Sequence, residues 1–107
     1  MNIKFAYLYR NASNYKQYNE VVFANPNQLP VEQIQRIISS NLIDESSFVA
    51  KDWDLPDMHF KEYDWDDDVD HDWHEFRGID ETTEVGTAQK SIEDFLEEVK
   101  VRTQRIT

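Results

Sequence analysis

The stretch IKFAYLY, residues 3–9, decides the fold, because its side chains alternate between two sets with a period of two. The first set is apolar and aromatic and the second is mixed: Ile3, Phe5, Tyr7 and Tyr9 against Lys4, Ala6, Leu8 and Arg10. Successive side chains of a strand point to opposite faces, and β-branched and aromatic residues favour strands. The stretch therefore predicts a central strand, and Ala6 and Leu8 indicate that its second face is partly covered too.

The residues that follow predict a hairpin partner and a helix. Residues 11–19 are polar and predict a loop, and residues 20–24 predict a second strand paired with the first. Within the loop, Tyr15 and Tyr18 are expected to pack on the sheet, because large aromatic side chains bury more often than not. Residues 30–40 predict an amphipathic helix, because they begin with proline and place three isoleucines on one face.

The second half of the chain predicts shorter strands and a second helix. Residues 48–50 predict either a short strand or part of a loop, and residues 58–63 carry a weak strand pattern. Residues 73–79 predict a strand, which residues 82–85 either extend or follow. Ser91 is a favourable N-cap, and the acidic residues after it suit the positive end of a helix.

The predicted order of elements is β-β-α-β-(β)-α. Two amphipathic helices each need an apolar surface to cover, and a small, mostly antiparallel sheet supplies one. The predicted fold class is therefore α+β, and residues 1–107 are expected to form a single domain, since their number is near the commonest domain size.

The net charge of the chain lies in one stretch, residues 52–81, which we call the acidic segment. It contains 13 of the 22 acidic residues and 2 of the 11 basic residues, so its formal charge of −11 equals that of the whole chain. The remaining residues carry nine acidic and nine basic side chains and sum to zero. The segment also contains all three tryptophans, Trp53, Trp65 and Trp73. Function is therefore best sought in this segment.

Composition argues against several classes of partner and site. A polyanion such as nucleic acid or an anionic membrane surface would be repelled by a net charge of −11. The chain has no cysteine, which excludes disulfides and thiolate metal sites. No run approaches the roughly 18 apolar residues of a membrane span, and the N-terminal stretch predicts a strand rather than a signal peptide. We expect a soluble cytoplasmic protein.

No residue pattern predicts an enzyme or a cofactor site. Gly78 and Gly86 are the only glycines, so a glycine-rich phosphate loop is absent. No serine-nucleophile motif is present, and acidic residues are too abundant here for their proximity to indicate acid–base catalysis. The sequence carries no family motif, so we predict a non-catalytic protein.

The acidic segment predicts a surface for a basic partner protein. Spaced carboxylates steer a positively charged partner, and tryptophan anchors many interfaces. The residues expected to contact the partner are Asp64, Trp65, Asp66, Asp67, Asp68, Asp70, Asp72 and Trp73. Such a protein would be a nucleic-acid mimic that inhibits a nucleic-acid-binding protein, or an antitoxin-like neutraliser of a basic toxin. Two simpler interpretations compete with it: the tryptophans belong to the core, or the charge serves solubility alone.

An alternative interpretation is a cation-responsive loop. Residues 64–75 place acidic side chains at loop positions 1, 3, 5, 9 and 12, the ligand spacing of an EF-hand calcium loop. The residues concerned are Asp64, Asp66, Asp68, Asp72 and Glu75. Val69 stands where such a loop needs glycine, and the flanking residues do not predict helices. A transition-metal site would instead draw on His71, His74, Glu75 and His59, although a strand would point the first two in opposite directions.

Overall fold

A computed structural model of the protein describes residues 1–11, 14–56, 58 and 73–105, and only the backbone of residues 102–105. Its elements, in chain order, are β1 (Asn2–Arg10), β2 (Lys16–Phe23), α1 (Val31–Ser39), β3 (Ser47–Val49), a 3₁₀ turn (Ala50–Trp53), β4 (Trp73–Thr82) and α2 (Ile92–Arg105). The predicted α+β class is confirmed, and the order of strands and helices agrees with the predicted order. No described helix is both long and apolar enough to cross a membrane.

The four strands form one antiparallel sheet in the order β2-β1-β4-β3. The prediction that residues 3–9 form a central strand is therefore confirmed. β2 begins at Lys16, four residues before the predicted start, and Lys16 pairs with Arg10. The polar residues at its beginning concealed it, because this half of β2 has no run of apolar side chains.

A bulge interrupts the pairing of β1 with β4. Tyr7 pairs with Phe76 and Ala6 with Gly78, so Arg77 is the additional residue of β4. Gly78 has a φ of 157°, a backbone conformation that L side chains rarely adopt. The bulge therefore depends on glycine at this position.

The helices cover one face of the sheet and enclose an aromatic core. The ring of Phe5 lies at its centre, with ring centroids 5.5 Å from Phe95, 5.7 Å from Phe48 and 6.4 Å from Trp53. Trp53 stacks on Phe48 at 4.5 Å and is only 3% exposed. For Trp53, the core interpretation is correct. Ser91 caps α2 as predicted, since its Oγ accepts a hydrogen bond from the Asp94 N–H at 3.3 Å.

One prediction about the aromatic residues before and within β2 is wrong. Tyr15 and Tyr18 were expected to pack on the sheet, but they are 59% and 53% exposed. Tyr18 lies on β2 opposite Leu8, on the face that the helices do not cover, with the Arg77 guanidinium 4.9 Å from its ring centroid. Met58 lies outside any strand, and the rest of the weak strand pattern, residues 59–63, falls outside the described residues.

Candidate functional site

The structure describes both ends of the acidic segment, residues 52–56, 58 and 73–81. Of the residues predicted to contact a partner, Asp64, Trp65, Asp66, Asp67, Asp68, Asp70 and Asp72 lie outside the described part of the chain. Trp73 is the one that the structure describes. The candidate site is therefore built from the residues on either side of residues 59–72.

A buried histidine joins the two ends of the acidic segment. The Met58 N–H donates a hydrogen bond to Nε2 of His74 at 3.0 Å. His74 is 1% exposed, and its ring packs 5.2 Å from Tyr9 and 5.8 Å from Tyr7. Because Nε2 accepts this bond, the imidazole is the neutral tautomer with its proton on Nδ1. Residues 58 and 73 therefore meet at one corner of the sheet, where β1 ends and β4 begins.

Further hydrogen bonds fix the chain that leads into this corner. The Tyr7 hydroxyl donates to the Pro56 carbonyl at 2.6 Å, and Gln17 Nε2 donates to the Met58 carbonyl at 3.1 Å. Asn19 Nδ2 in turn donates to the Tyr7 hydroxyl at 3.0 Å. The residue that precedes residues 59–72, Met58, is thus held at a position that β1, β2 and β4 fix together.

Trp73 is the exposed aromatic residue at this corner. Its side chain is 42% exposed, and it pairs in register with Val49 at the end of β3. A partly exposed tryptophan at the boundary of an acidic stretch is the type of residue that anchors protein interfaces. The exposure of Trp73 separates it from Trp53, while Trp65 lies outside the described residues.

Two acidic residues of the segment are used by the scaffold. Asp54 accepts a hydrogen bond from Lys90 at 2.7 Å, and Glu75 accepts two from Arg10, at 2.8 Å and 3.3 Å. The hydrogen bonds to Glu75 raise the pKa of Arg10. Bases from outside the segment therefore pair with these two carboxylates.

The pairing with Asp54 affects the pKa of Lys90. Burial works against the charge of Lys90, but its hydrogen bonds with Asp54 and Glu98 outweigh that effect and leave its pKa raised. By contrast, Asp52, Asp80 and Glu81 form no ion pair with any residue that the structure describes.

The predicted metal ligands are only partly placed. Asp64, Asp66, Asp68 and Asp72 lie outside the described residues, as do His59 and His71. Glu75 is described, and both of its oxygens bond to Arg10. The described residues contain no group of three or more side chains suited to hold a metal ion. A calcium loop at residues 64–75 therefore stays a prediction, and it would require Glu75 to exchange Arg10 for the cation.

A pocket of about 410 Å³ lies beside β2 and was not predicted from the sequence. Its apolar lining includes Val21, Phe23 and Leu55, and its polar lining includes Glu20 and Lys90. The residues come from three parts of the chain that only folding brings together, so no local pattern could have indicated it. Leu55 and Pro56 of this pocket directly precede the stretch that leads to the corner.

No protein-family model matches the sequence, and neither a curated protein nor a solved structure matches it.

Proposed function

We propose that this protein is a small, non-catalytic binding module that presents its acidic segment to a basic partner protein. The observation that carries the proposal is the segregation of charge: residues 52–81 hold the entire net charge of −11. A concentrated negative surface accelerates encounter with a positively charged partner and selects against negatively charged ones. The partner is then a protein whose own function depends on basic residues.

The geometry of the corner supports this proposal in two ways. The hydrogen bond from Met58 to His74 brings both ends of residues 59–72 to one place on the scaffold. Those 14 residues carry seven acidic side chains and one lysine, so six negative charges are tethered at a single corner. The half-exposed Trp73 then lies where a docked partner would find an apolar anchor.

Two kinds of partner fit this chemistry. A nucleic-acid-binding protein would meet carboxylates where it normally meets phosphates, which makes this chain a nucleic-acid mimic and an inhibitor. A basic toxin would be neutralised by the same surface, which makes the chain antitoxin-like. Competition with double-stranded DNA for the captured partner separates the two, because only the first kind of partner binds DNA at that surface. With no cysteine in the chain, we place this action in the reducing cytoplasm.

The proposal is tested by capturing partners from native lysate at low and high salt, and then by measuring association rates with the purified partner. Replacing Asp66, Asp67 and Asp68 together by asparagine removes three negative charges from residues 59–72. Association at low salt should slow by on the order of tenfold, and its dependence on salt should flatten. An unchanged rate and salt dependence would show that the acidic segment does not steer binding.

A matched control removes three charges from elsewhere. Glu32, Asp44 and Glu45 are exposed, and none of them bonds to another side chain in the described structure. The combined E32Q, D44N and E45Q variant has the same net charge as the triple asparagine variant. If it slows association equally, the partner responds to total charge alone, and the proposed role of the acidic segment fails.

A further inference from the structure

Among the residues that the structure describes, chain segments cover the outer edge of β2 along one half and leave it open along the other. Near its end, the Val22 carbonyl accepts hydrogen bonds from the N–H groups of Thr87 and Ala88 at 2.9 and 3.1 Å. The Val22 N–H donates to Thr87 Oγ1 at 2.9 Å, and the Ala24 carbonyl accepts from the Ile92 N–H at 2.9 Å. The chain therefore uses its own residues 87–92 to extend the sheet at this edge.

Toward the beginning of β2, further backbone N–H and C=O groups point to the same outer edge, because their direction alternates along an antiparallel strand. Val22 directs its backbone groups outward, and β1 and β2 pair without a register shift from Arg10–Lys16 to Ile3–Phe23. Backbone groups of every second residue face the same side, so the N–H and C=O groups of Tyr18 and Glu20 also face outward. In the described structure, these four groups have no hydrogen-bond partner.

We propose that this open edge, at Tyr18 and Glu20, binds an extended, basic segment of the partner as an additional strand. A sheet edge with unpaired N–H and C=O groups is a template for a further strand, and natural recognition domains use it in this way. The pocket beside β2, which Glu20 helps to line, lies along the path of such a strand. Its apolar lining would take an apolar side chain of the bound segment.

The charges around the edge select the chemistry of the occupant. Lys4 pairs with both Glu20 and Glu84, so this group keeps one negative charge in excess, and the Glu20 side chain is 59% exposed. Pro56, which lines the pocket, belongs to the acidic segment, whose net charge is −11. An extended segment with alternating basic and apolar residues matches both features. The basic character of the occupant rests on the proposed function, whereas the strand pairing rests on the edge alone.

The first experiment uses a seven-residue peptide of alternating lysine and valine, titrated into the full-length chain and followed by amide NMR. Two further peptides carry N-methyl groups on alternate amides, one on the odd-numbered and one on the even-numbered residues. Strand pairing predicts that one methylated peptide loses more than tenfold in affinity while the other binds almost unchanged. The amides of residues 16–20 should shift on binding. Equal binding of both methylated peptides would overturn the proposal.

The second experiment changes the protein. E20P removes the outward N–H donor but keeps the pairing with β1, because Glu20 does not donate into that ladder and proline is tolerated on a sheet edge. E20Q is the control, since it removes the charge and keeps the N–H. E20P should weaken peptide binding about fivefold relative to E20Q. Equal affinities, with melting curves and spectra showing that both variants are folded, would contradict strand pairing.

The outcomes separate this inference from the proposed function. A peptide with glutamine in place of lysine that binds the edge as tightly would keep the strand pairing but contradict the basic occupant. Lysine-dependent binding that leaves residues 16–20 unshifted would overturn the inference while the proposed function stands. A concentration-dependent dimer with protected amides at residues 16–20 would make a second copy the occupant and would also overturn it.

Discussion

The two faces of β1 are specified by different forces. On the face toward the helices, Ile3, Phe5 and Tyr7 are all fully buried. On the opposite face, Lys4 bonds to Glu84 and lies 3.7 Å from Glu20, while Arg10 bonds to Glu75. Apolar burial orders the first face, whereas the second combines surface pairs of opposite charge with the buried side chains of Leu8 and Val22.

The same ion pairs bear on where the excess negative charge of the chain lies. The lysines and arginine in the pairs described above bond to carboxylates close to them in the fold, and two of those carboxylates come from the acidic segment itself. Outside residues 52–81, the nine acidic and nine basic side chains of the chain cancel in total. Residues 59–72 carry a net charge of −6, and the remaining −5 lies in the other residues of the acidic segment.

The largest expected effect comes from truncating the buried face. Phe5→Ala removes a ring that packs against Phe48, Trp53 and Phe95. The lost contacts and the resulting cavity should lower the free energy of unfolding by about 3–5 kcal/mol. Urea denaturation followed by Trp fluorescence measures it. The matched control is Tyr18→Ala on the opposite face, where the exposed ring and its contact with Arg77 should contribute only about 0.5–1 kcal/mol. Equal losses would mean that the two faces do not differ as described.

A smaller effect on stability is expected at the bulge between β1 and β4. Gly78→Ala places a Cβ on a residue with φ of 157°, which should cost about 1–3 kcal/mol, although no heavy atom lies within 4 Å of that Cβ. Gly86→Ala is the control, because its Cβ would lie 3.6 Å from the Val22 carbonyl, an ordinary contact. Gly86→Ala should change stability by less than about 0.5 kcal/mol. Thermal melts of both variants test whether the backbone conformation, rather than space, requires the glycine.

The buried face could be predicted from the sequence, because its pattern is local and periodic. The alternation from Ile3 to Tyr9 was enough to predict the central strand, and the spacing of isoleucines in α1 was enough to predict a helix. Packing then follows from hydrophobicity. The prediction that Tyr18 packs on the sheet was wrong because the burial of this side chain depends on the face of β2 that it occupies. That face is set by the early start of β2, which places Tyr18 opposite Leu8.

The candidate site was less predictable for a related reason. The sequence indicated His74 as a possible metal ligand, whereas in the structure it is buried and accepts a hydrogen bond from Met58, 16 residues earlier. The open edge of β2 depends on where residues 87–92 stop covering it. Both features arise from contacts between distant parts of the chain, and neither leaves a periodic signal in the sequence.

The pair of Arg10 and Glu75 should contribute less to the free energy of unfolding than either Phe5 or Gly78. A double-mutant cycle with Arg10→Gln and Glu75→Gln measures the coupling between two side chains that are each 36% exposed. Surface pairs gain little because water and salt screen them and both side chains lose freedom. We expect a favourable coupling that is smaller than the loss in Gly78→Ala and that decreases as salt rises from low to molar concentration. A coupling that salt does not change would indicate a desolvated pair.

The smallest expected effect is a pH dependence on the same face. The hydrogen bond from Lys4, with a further one from Thr82, holds the pKa of Glu84 below its usual value of 4.5. A carboxyl whose pKa is lowered by folding stabilises the protein fully above the pKa of the unfolded chain, and this contribution is lost as pH falls through the folded pKa. The melting temperature of the wild type should therefore fall more than that of Glu84→Gln when pH is lowered from 6 to 3. Glu81→Gln, which removes an exposed carboxylate with no ion pair in the described structure, is the control. If it reduces the pH dependence as much as Glu84→Gln does, the pair with Lys4 is not the cause, and only the general loss of negative charge acts on stability.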